Sequence, residues 1–173
     1  MDNNETNEIH VSGTIAENDI VQINDFFSRK IYFSVLLTGL LFILPPIRFL
    51  FDALPSGFYT SFIIILVLLS LLFFRIRIKR QGRKLYKSDT LAKLERKITI
   101  SNLGITQKIS NKSETHFEWT DIIKGVELND VFILYFSYNN VIVIPKMFFK
   151  STKEIHLFKK IANENLKVKL KKR

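Results

Sequence analysis

IYFSVLLTGLLFILPPIRFLF (Ile31–Phe51) and FYTSFIIILVLLSLLFF (Phe58–Phe74) are two apolar stretches separated by a short connector. A helix needs roughly 20 mainly apolar residues to cross a bilayer, and about 17 is the practical minimum. The second stretch has no charged residue, and its hydroxyl side chains can hydrogen-bond to their own helix backbone. The pair therefore predicts a transmembrane hairpin over residues 31–74.

The first stretch is less regular than the second. Pro45, Pro46 and Arg48 interrupt it; prolines remove backbone donors, and a cation in hydrocarbon is costly. We expect the first helix to bend or end near Ile43 or Leu44, with Arg48 at the far interface. The alternative is two buried core helices of a soluble protein, which is disfavoured because so small a chain rarely buries so much all-round hydrophobicity.

Charged residues on the two flanks orient this hairpin. Arg29 and Lys30 precede the first stretch, whereas residues 52–57 contain no Lys or Arg. The segment after the second stretch is strongly basic, and its cations are Arg75, Arg77, Lys79, Arg80, Arg83 and Lys84. By the positive-inside rule, the sequence predicts a multi-pass protein of the bacterial inner membrane with both termini in the cytoplasm.

Composition narrows the classes of function. The chain has a net charge of +10, and all of its Lys and Arg residues except Arg29, Lys30 and Arg48 follow Phe74. A basic domain beside an anionic leaflet is drawn to it, which makes anionic lipid headgroups candidate partners. No nucleic-acid partner is indicated, because no nucleic-acid-binding motif is present. The absence of cysteine excludes disulfides, zinc-thiolate sites and a thiol nucleophile.

Residues 1–30 form a cytoplasmic segment ahead of the hairpin. Residues 1–8 are polar and acidic, which is typical of disorder. From Ile9 to Ile15 apolar and polar residues alternate, which predicts a short strand. Residues 17–30 place apolar side chains at three- and four-residue spacings, so we expect an amphipathic segment that leads into the membrane.

The chain after the hairpin predicts a basic linker, residues 75–94, and a sheet domain, residues 95–173. Six segments from Glu95 onward have strand patterning, beginning with a hairpin around Asn102-Leu103-Gly104. Val131–Ser137 is apolar on both faces, so we expect it to be a central strand.

The last of these strands ends at Pro145, which cannot donate to a ladder and so indicates a strand end or edge. A helix follows, because Ser151 and Glu154 fit a capping box before a periodic apolar stripe. With the N-terminal strand the total is seven, the strand count of a pleckstrin-homology (PH)-like sandwich. The predicted fold is thus an α+β membrane protein: a two-helix transmembrane hairpin with a cytoplasmic PH-like antiparallel β-sandwich closed by a C-terminal helix.

Short motifs in this predicted sandwich resemble those of a known family. They are the W-x-D-I turn at Trp119, Asp121 and Ile122, and Val143-Ile144-Pro145-Lys146 followed by Phe149, Ser151, Glu154 and Phe158. On these residues the chain resembles the YcxB-like family of small bacterial membrane proteins over most of residues 90–165. The resemblance implies an N-terminal strand, two transmembrane helices and a C-terminal PH-like domain, and it implies no established biochemical activity.

Two side chains of the sandwich are candidate contact residues. Trp119, the only tryptophan, is either a recognition aromatic at the rim of the domain or a ring that covers the core or a sheet edge. Lys146 either contacts a phosphate or lipid headgroup or is an ordinary solvated lysine.

No candidate catalytic, cofactor or metal site emerges from the sequence. The three histidines have no metal-ligand spacing, no serine lies in a nucleophile elbow, and the glycines form no phosphate-cradling loop. We therefore expect no enzyme activity and no cofactor.

Two hypotheses of function remain open. In the first, the chain is a membrane-anchored, non-enzymatic PH-like module that engages an unknown protein partner in the cytoplasm. In the alternative it is an anionic-lipid-binding or envelope-sensing protein, whose contacts would come from the basic run Arg75–Lys84 together with Lys146.

Overall fold

The computed structural model describes residues 8–50, 56–110, 112–137 and 140–172, with the side chains of residues 40–50, 56, 57 and 59 left out. The predicted disorder of residues 1–8 and the predicted connector, residues 52–57, lie outside this description except for residues 8, 56 and 57, and the surroundings of the Arg48 side chain lie outside it. The described chain is α+β and divides into two compact units. The described residues up to Asp19 and from Asp89 onward form the β unit, and Ile20–Ser88 form the helical unit.

Two long helices build the helical unit. They are α1, Glu17–Leu50, and α2, Ser56–Ser88. The Asn24 side-chain amide donates to the Ile78 carbonyl at 3.2 Å, and the Tyr32 hydroxyl donates to Ser70 Oγ at 3.0 Å. Residues with higher numbers in α1 contact residues with lower numbers in α2, so the two helices pair antiparallel.

The prolines do not end the first helix, so of the two predicted outcomes near Ile43 or Leu44 the end is wrong and the bend stays a prediction. α1 remains helical through Pro45 and Pro46 to Leu50. A helix end leaves four carbonyl groups without intrahelical partners, whereas two prolines remove only two backbone donors. The second helix continues beyond Phe74 to Ser88, so most of the predicted basic linker, residues 75–94, is helical.

The N-terminal strand joins the sheet that follows the helices. The first sheet has the order β1-β2-β3-β4, and its strands are β1 Ile9–Gly13, β2 Arg96–Ile100, β3 Gly104–Ile109 and β4 Ser113–Glu118. β1 runs antiparallel to β2, with Ile9 opposite Ile100 and Val11 opposite Ile98. All four of these side chains are buried, because period-two alternation turns them to one face. The predicted N-terminal strand and the β2–β3 hairpin are confirmed.

The second sheet has the order β7-β6-β5-β8. Its strands are β5 Lys124–Glu127, β6 Val131–Tyr135, β7 Val141–Pro145 and β8 Lys171–Lys172. All five residues of β6 are buried, and β7 is an edge strand that ends at Pro145, so both predictions are confirmed.

The basic C-terminus ends in a short strand of the second sheet. β8 pairs parallel with β5, with Lys171 opposite Val126. Packing explains this, since the side chains of Leu166 and Leu170 lie where a Cβ on Gly125 would be, Leu170 Cδ1 only 2.6 Å from it. Only a glycine at this point of β5 lets the two leucines hold the end of the chain in place.

Helix α3, Thr152–Asn165, closes the β unit. Ser151 Oγ accepts the Glu154 N–H at 3.3 Å, whereas the Glu154 carboxylate reaches the Lys150 N–H rather than that of Ser151. The predicted capping box is therefore half formed. Phe158 packs against Phe132 with ring centroids 4.7 Å apart, which joins the helix to the second sheet.

Candidate functional site

The basic run of the sequence lies on the last turns of α2. We call this the basic helix segment; its cations Arg75, Arg77, Lys79, Arg80, Arg83 and Lys84 are all exposed. At about 100° per residue they cover roughly 200° of the helix circumference. Ile78 and Gly82 occupy the remaining side, where a Cβ on Gly82 would lie 2.9 Å from Val21. One side of the segment thus packs on α1, and the other presents ammonium and guanidinium groups suited to phosphate oxygens.

Trp119 is a core residue of the β unit. It is only 4% exposed and begins a short 3₁₀ turn, Trp119–Asp121. Its indole Nε1 donates to the Ser101 carbonyl at 2.8 Å, and the Asp121 carboxylate accepts the Glu118 N–H at 3.1 Å. The W-x-D-I motif therefore ties the β2–β3 turn to the β4–β5 connection. Of the two interpretations of Trp119, burial favours the ring that covers the core, because the side chain has almost no exposed surface.

Lys146 belongs to an ion cluster, which we call the Glu127 cluster. Lys146 Nζ lies 2.8 Å from Glu127 Oε1, and Lys159 Nζ lies 2.6 Å from the same oxygen. The glutamate is 6% exposed, and Lys146 Nζ also lies 5.1 Å from the Phe132 ring centroid. Lys146 is therefore neither a free headgroup contact nor an ordinary solvated lysine, because its ammonium compensates a buried charge.

Electrostatics of this cluster favour the ionised glutamate. Burial raises the pKa of Glu127, but hydrogen bonds and charge attraction from Lys146 and Lys159 outweigh it, and the net pKa is lowered. Sequence reasoning missed Glu127 and Lys159. The available signal was a carboxylate in the apolar run Val126–Leu128, since a charge at a buried strand position requires a partner.

Asp19 is the second buried carboxylate of the β unit. It is 4% exposed, and its Oδ2 accepts the Ala16 N–H at 2.9 Å. Burial raises the pKa of Asp19, the Ala16 hydrogen bond opposes this rise, and the charge of Asp130 adds to it. Burial and a like charge thus dominate at Asp19, whereas two lysines lower the pKa of Glu127, which distinguishes this site from the Glu127 cluster.

Within the described ranges, no three or more His, Cys, Asp or Glu side chains are grouped so that they could hold a metal ion. Exposed backbone and charge along β4 and the basic helix segment are the features suited to binding. That the protein is not an enzyme stays a prediction.

The protein belongs to the α+β class, in which one unit has two sheets closed by a helix and the other is a pair of long antiparallel helices. Residues 100–162, which run from the end of β2 into α3, match the sequence model of the family described as "YcxB-like protein". The predicted resemblance to the YcxB-like family is thereby confirmed.

One curated relative extends the similarity beyond that segment. Over 169 residues the chain is 28% identical to "Uncharacterized protein YcxB" of Bacillus subtilis (strain 168), and the alignment covers 93% of this chain and 91% of that protein. The similarity therefore includes the helical unit. No solved structure matches the chain significantly.

Proposed function

We propose that the chain is a membrane-anchored, non-enzymatic interaction module whose β unit faces the cytoplasm. The observation that carries the proposal is the exposed apolar surface of α2. Within the described residues, Thr60–Ser88 is the one helix long and apolar enough to cross a membrane by length and composition; its best 18-residue window has a mean hydropathy of 2.4 and is only 6% buried. Such a surface is stable in lipid and costly in water.

The second transmembrane helix of the proposal is α1. Its side chains Ile31, Phe33, Val35 and Leu37 are between 52% and 69% exposed. They lie at the level where α1 contacts α2, because the Tyr32 ring stacks on Phe74 with centroids 3.5 Å apart. A pair of helices with apolar residues on all sides is typical of a hairpin surrounded by lipid.

The β unit supports a PH-like assignment. Strands β1–β4 form one antiparallel sheet, β5–β7 form a second, and α3 follows directly. The ring centroids of Phe117, in the first sheet, and Phe136, which follows β6, lie 4.6 Å apart. The two sheets therefore share a core. Because fold alone does not define activity, the proposal is limited to an interaction role, with a protein as the partner.

Accessibility of introduced cysteines tests both the anchoring and the orientation, since the chain has no cysteine of its own. In intact cells, Ser56→Cys at the start of α2 is expected to react with a membrane-impermeant maleimide. Ser151→Cys is expected to react only after the membrane is permeabilised. Labelling of position 151 in intact cells, or recovery of the protein in the soluble fraction, would contradict the proposal.

An alternative function is binding of anionic lipid, and the exposed basic helix segment is the observation that favours it. Juxtamembrane cations contribute about 1 kcal/mol each beside an anionic leaflet, and salt screens this attraction. The test uses the full chain in nanodiscs, because β1 must be present for the first sheet to be complete. Anionic lipid is expected to raise the melting temperature in low salt, and the Arg80→Gln/Arg83→Gln/Lys84→Gln variant is expected to lose this gain. An equal gain in the variant would exclude the segment as the lipid contact.

A further inference from the structure

Strand β4 is an edge strand with little cover on either face. Among the described strands it pairs only with β3, and all of its residues are exposed except Phe117, which is half-buried. An exposed edge is a template for a further strand unless its side chains oppose pairing.

Two hydrogen bonds show which backbone groups of β4 point away from β3. The Gly104 carbonyl accepts the Ser101 N–H at 2.9 Å and so points toward β2. Gly104 is opposite Glu118, so these two residues form a non-hydrogen-bonded pair. In agreement, the Glu118 N–H donates to the Asp121 carboxylate instead.

Because backbone direction alternates along a strand, the N–H and C=O groups of Glu114 and His116 point to the open edge as well. Their side chains share a face with Lys112, which lies in the turn before β4. Along that face the order of residues is Lys112, Glu114, His116 and Glu118. On the same face Glu114 Oε2 lies 3.0 Å from Lys108 Nζ. Carboxylates and ammonium groups are therefore neighbours on this face.

We propose that the edge of β4 pairs antiparallel with β4 of a second copy of this chain, about a two-fold axis at Thr115. Charge complementarity singles out this partner. In this register Lys112 is opposite Glu118 of the second copy, and Glu114 is opposite its His116. A two-fold axis repeats both pairs, and Glu114 and His116 exchange backbone hydrogen bonds with the second copy. Lys112 and Glu118 are directly opposed opposite charges, which stabilise a strand pair, and the His116 ring can donate a hydrogen bond to the Glu114 carboxylate.

Neighbouring registers lack this complementarity. An axis at Glu114 places Glu114 opposite itself, and an axis at His116 places Glu114 opposite Glu118. Both put like charges face to face, which is destabilising. Registers that shift the pairing by a single residue turn the faces of the two sheets in opposite directions. Axes at Ser113 and Phe117 also oppose unlike side chains, but each overlaps only one end of β4. The axis at Thr115 is therefore the register that pairs the greatest length of the strand without opposing like charges.

The inference rests on the proposed interaction role, because it names a partner for that role, but it does not depend on the membrane anchor. Charged residues on an edge strand also serve to prevent pairing. The two explanations differ in one respect: protection from pairing needs charge of any sign, whereas self-pairing needs these signs at these positions.

Disulfide formation in the full chain, in native membranes, tests the register. Across the axis the two Thr115 residues form a non-hydrogen-bonded pair with Cα atoms about 4.5 Å apart, within the range that a disulfide bridges. Thr115→Cys is therefore expected to give a disulfide-linked dimer under mild oxidation. Ser113→Cys is the matched control, because its copies would lie about 14 Å apart at roughly 3.4 Å per residue.

A charge swap in the Thr115→Cys background tests the partner residues. Lys112→Glu is expected to lower the dimer yield about threefold or more, and Lys112→Glu/Glu118→Lys is expected to restore it. Lys153→Glu, an exposed lysine on α3, is expected to leave the yield unchanged.

Equal yields at positions 113 and 115, or no recovery in the swapped variant, would overturn the inference. Fractionation of the same samples keeps the two proposals apart. A chain that is found in the membrane pellet but does not form the dimer contradicts only the self-pairing, whereas a chain in the soluble fraction contradicts the membrane anchor.

Discussion

The same types of apolar side chain are buried in the β unit and exposed in the helical unit. In the β unit Ile98, Ile100 and Phe132 are at most 1% exposed, whereas in the helical unit Ile64 and Phe73 are 59% and 65% exposed. A folded chain in water does not expose so large an apolar surface. This difference supports the proposal that the two units are stable in different solvents, the β unit through protein packing and the helical unit through contact with lipid.

The largest expected effect comes from truncating the same residue type in each unit. Phe132→Ala removes a ring that contacts Phe149 and Phe158 and is expected to destabilise the β unit by about 3–5 kcal/mol. Phe73→Ala removes an exposed ring of α2 and is expected to leave β-unit stability unchanged. Urea unfolding in nanodiscs measures both, followed by the fluorescence of Trp119, the single tryptophan, which lies in the β unit.

Arginine substitutions test whether an exposed apolar side chain contacts lipid or water, on α2 and on the β unit. Leu69→Arg on α2, where the leucine is 60% exposed, is expected to cost about 2.5–3.5 kcal/mol of membrane insertion. Leu103→Arg in the β2–β3 turn, where the leucine is 81% exposed, is expected to cost almost nothing. Retention in carbonate-washed membranes, measured by quantitative immunoblot, compares the two. Equal retention of both variants would mean that α2 is not surrounded by lipid.

The strands and the last helix could be predicted because their signals are local. Alternation located β1, and two-sided apolarity identified β6 as an interior strand. A short strand such as β8 could not be predicted, because Lys171 and Lys172 have no strand patterning. Their position depends on leucines packing where Gly125 has no side chain, which is a tertiary contact and not a sequence period.

The candidate site was harder to predict than the fold. The exposed basic helix segment followed from composition, but Lys146 and Trp119 took roles set by distant residues. The charge of Lys146 is paired with that of Glu127, nineteen positions away. The indole of Trp119 donates a hydrogen bond to a carbonyl of the β2–β3 turn. Contacts between residues so far apart in the chain leave no spacing that a single sequence reveals, so the surface and core interpretations could not be separated.

Glu127 and Asp19 are two buried carboxylates of the β unit whose pKa values shift in opposite directions. Two lysines lie beside Glu127. Glu127→Gln is expected to destabilise the β unit by about 1–3 kcal/mol near neutral pH, since Lys146 and Lys159 lose their counter-charge. The lowered pKa of Glu127 means that its contribution is present above the unfolded pKa and is lost as pH falls through the folded pKa. The variant should therefore have a flatter acid limb in Trp119-monitored unfolding.

A matched control for this variant is Glu114→Gln on β4. Glu114 is exposed and pairs with Lys108 at 3.0 Å, and exposed pairs contribute only about 0–1 kcal/mol. Destabilisation by Glu114→Gln as large as that by Glu127→Gln would show that burial of the Glu127 cluster does not set its strength.

The smallest expected effect has the opposite sign. Since burial raises the pKa of Asp19, the stability linked to this group is fully present below its unfolded pKa and is lost as pH rises through the folded pKa. Asn keeps an oxygen that can accept the Ala16 N–H and carries no charge. Asp19→Asn is therefore expected to match the wild type in acid and to gain up to about 1 kcal/mol at neutral pH. Glu164→Gln, at an exposed carboxylate on α3, is the matched control. A loss of stability by Asp19→Asn at neutral pH would mean that the ionised carboxylate is a net stabilising group at the start of α1.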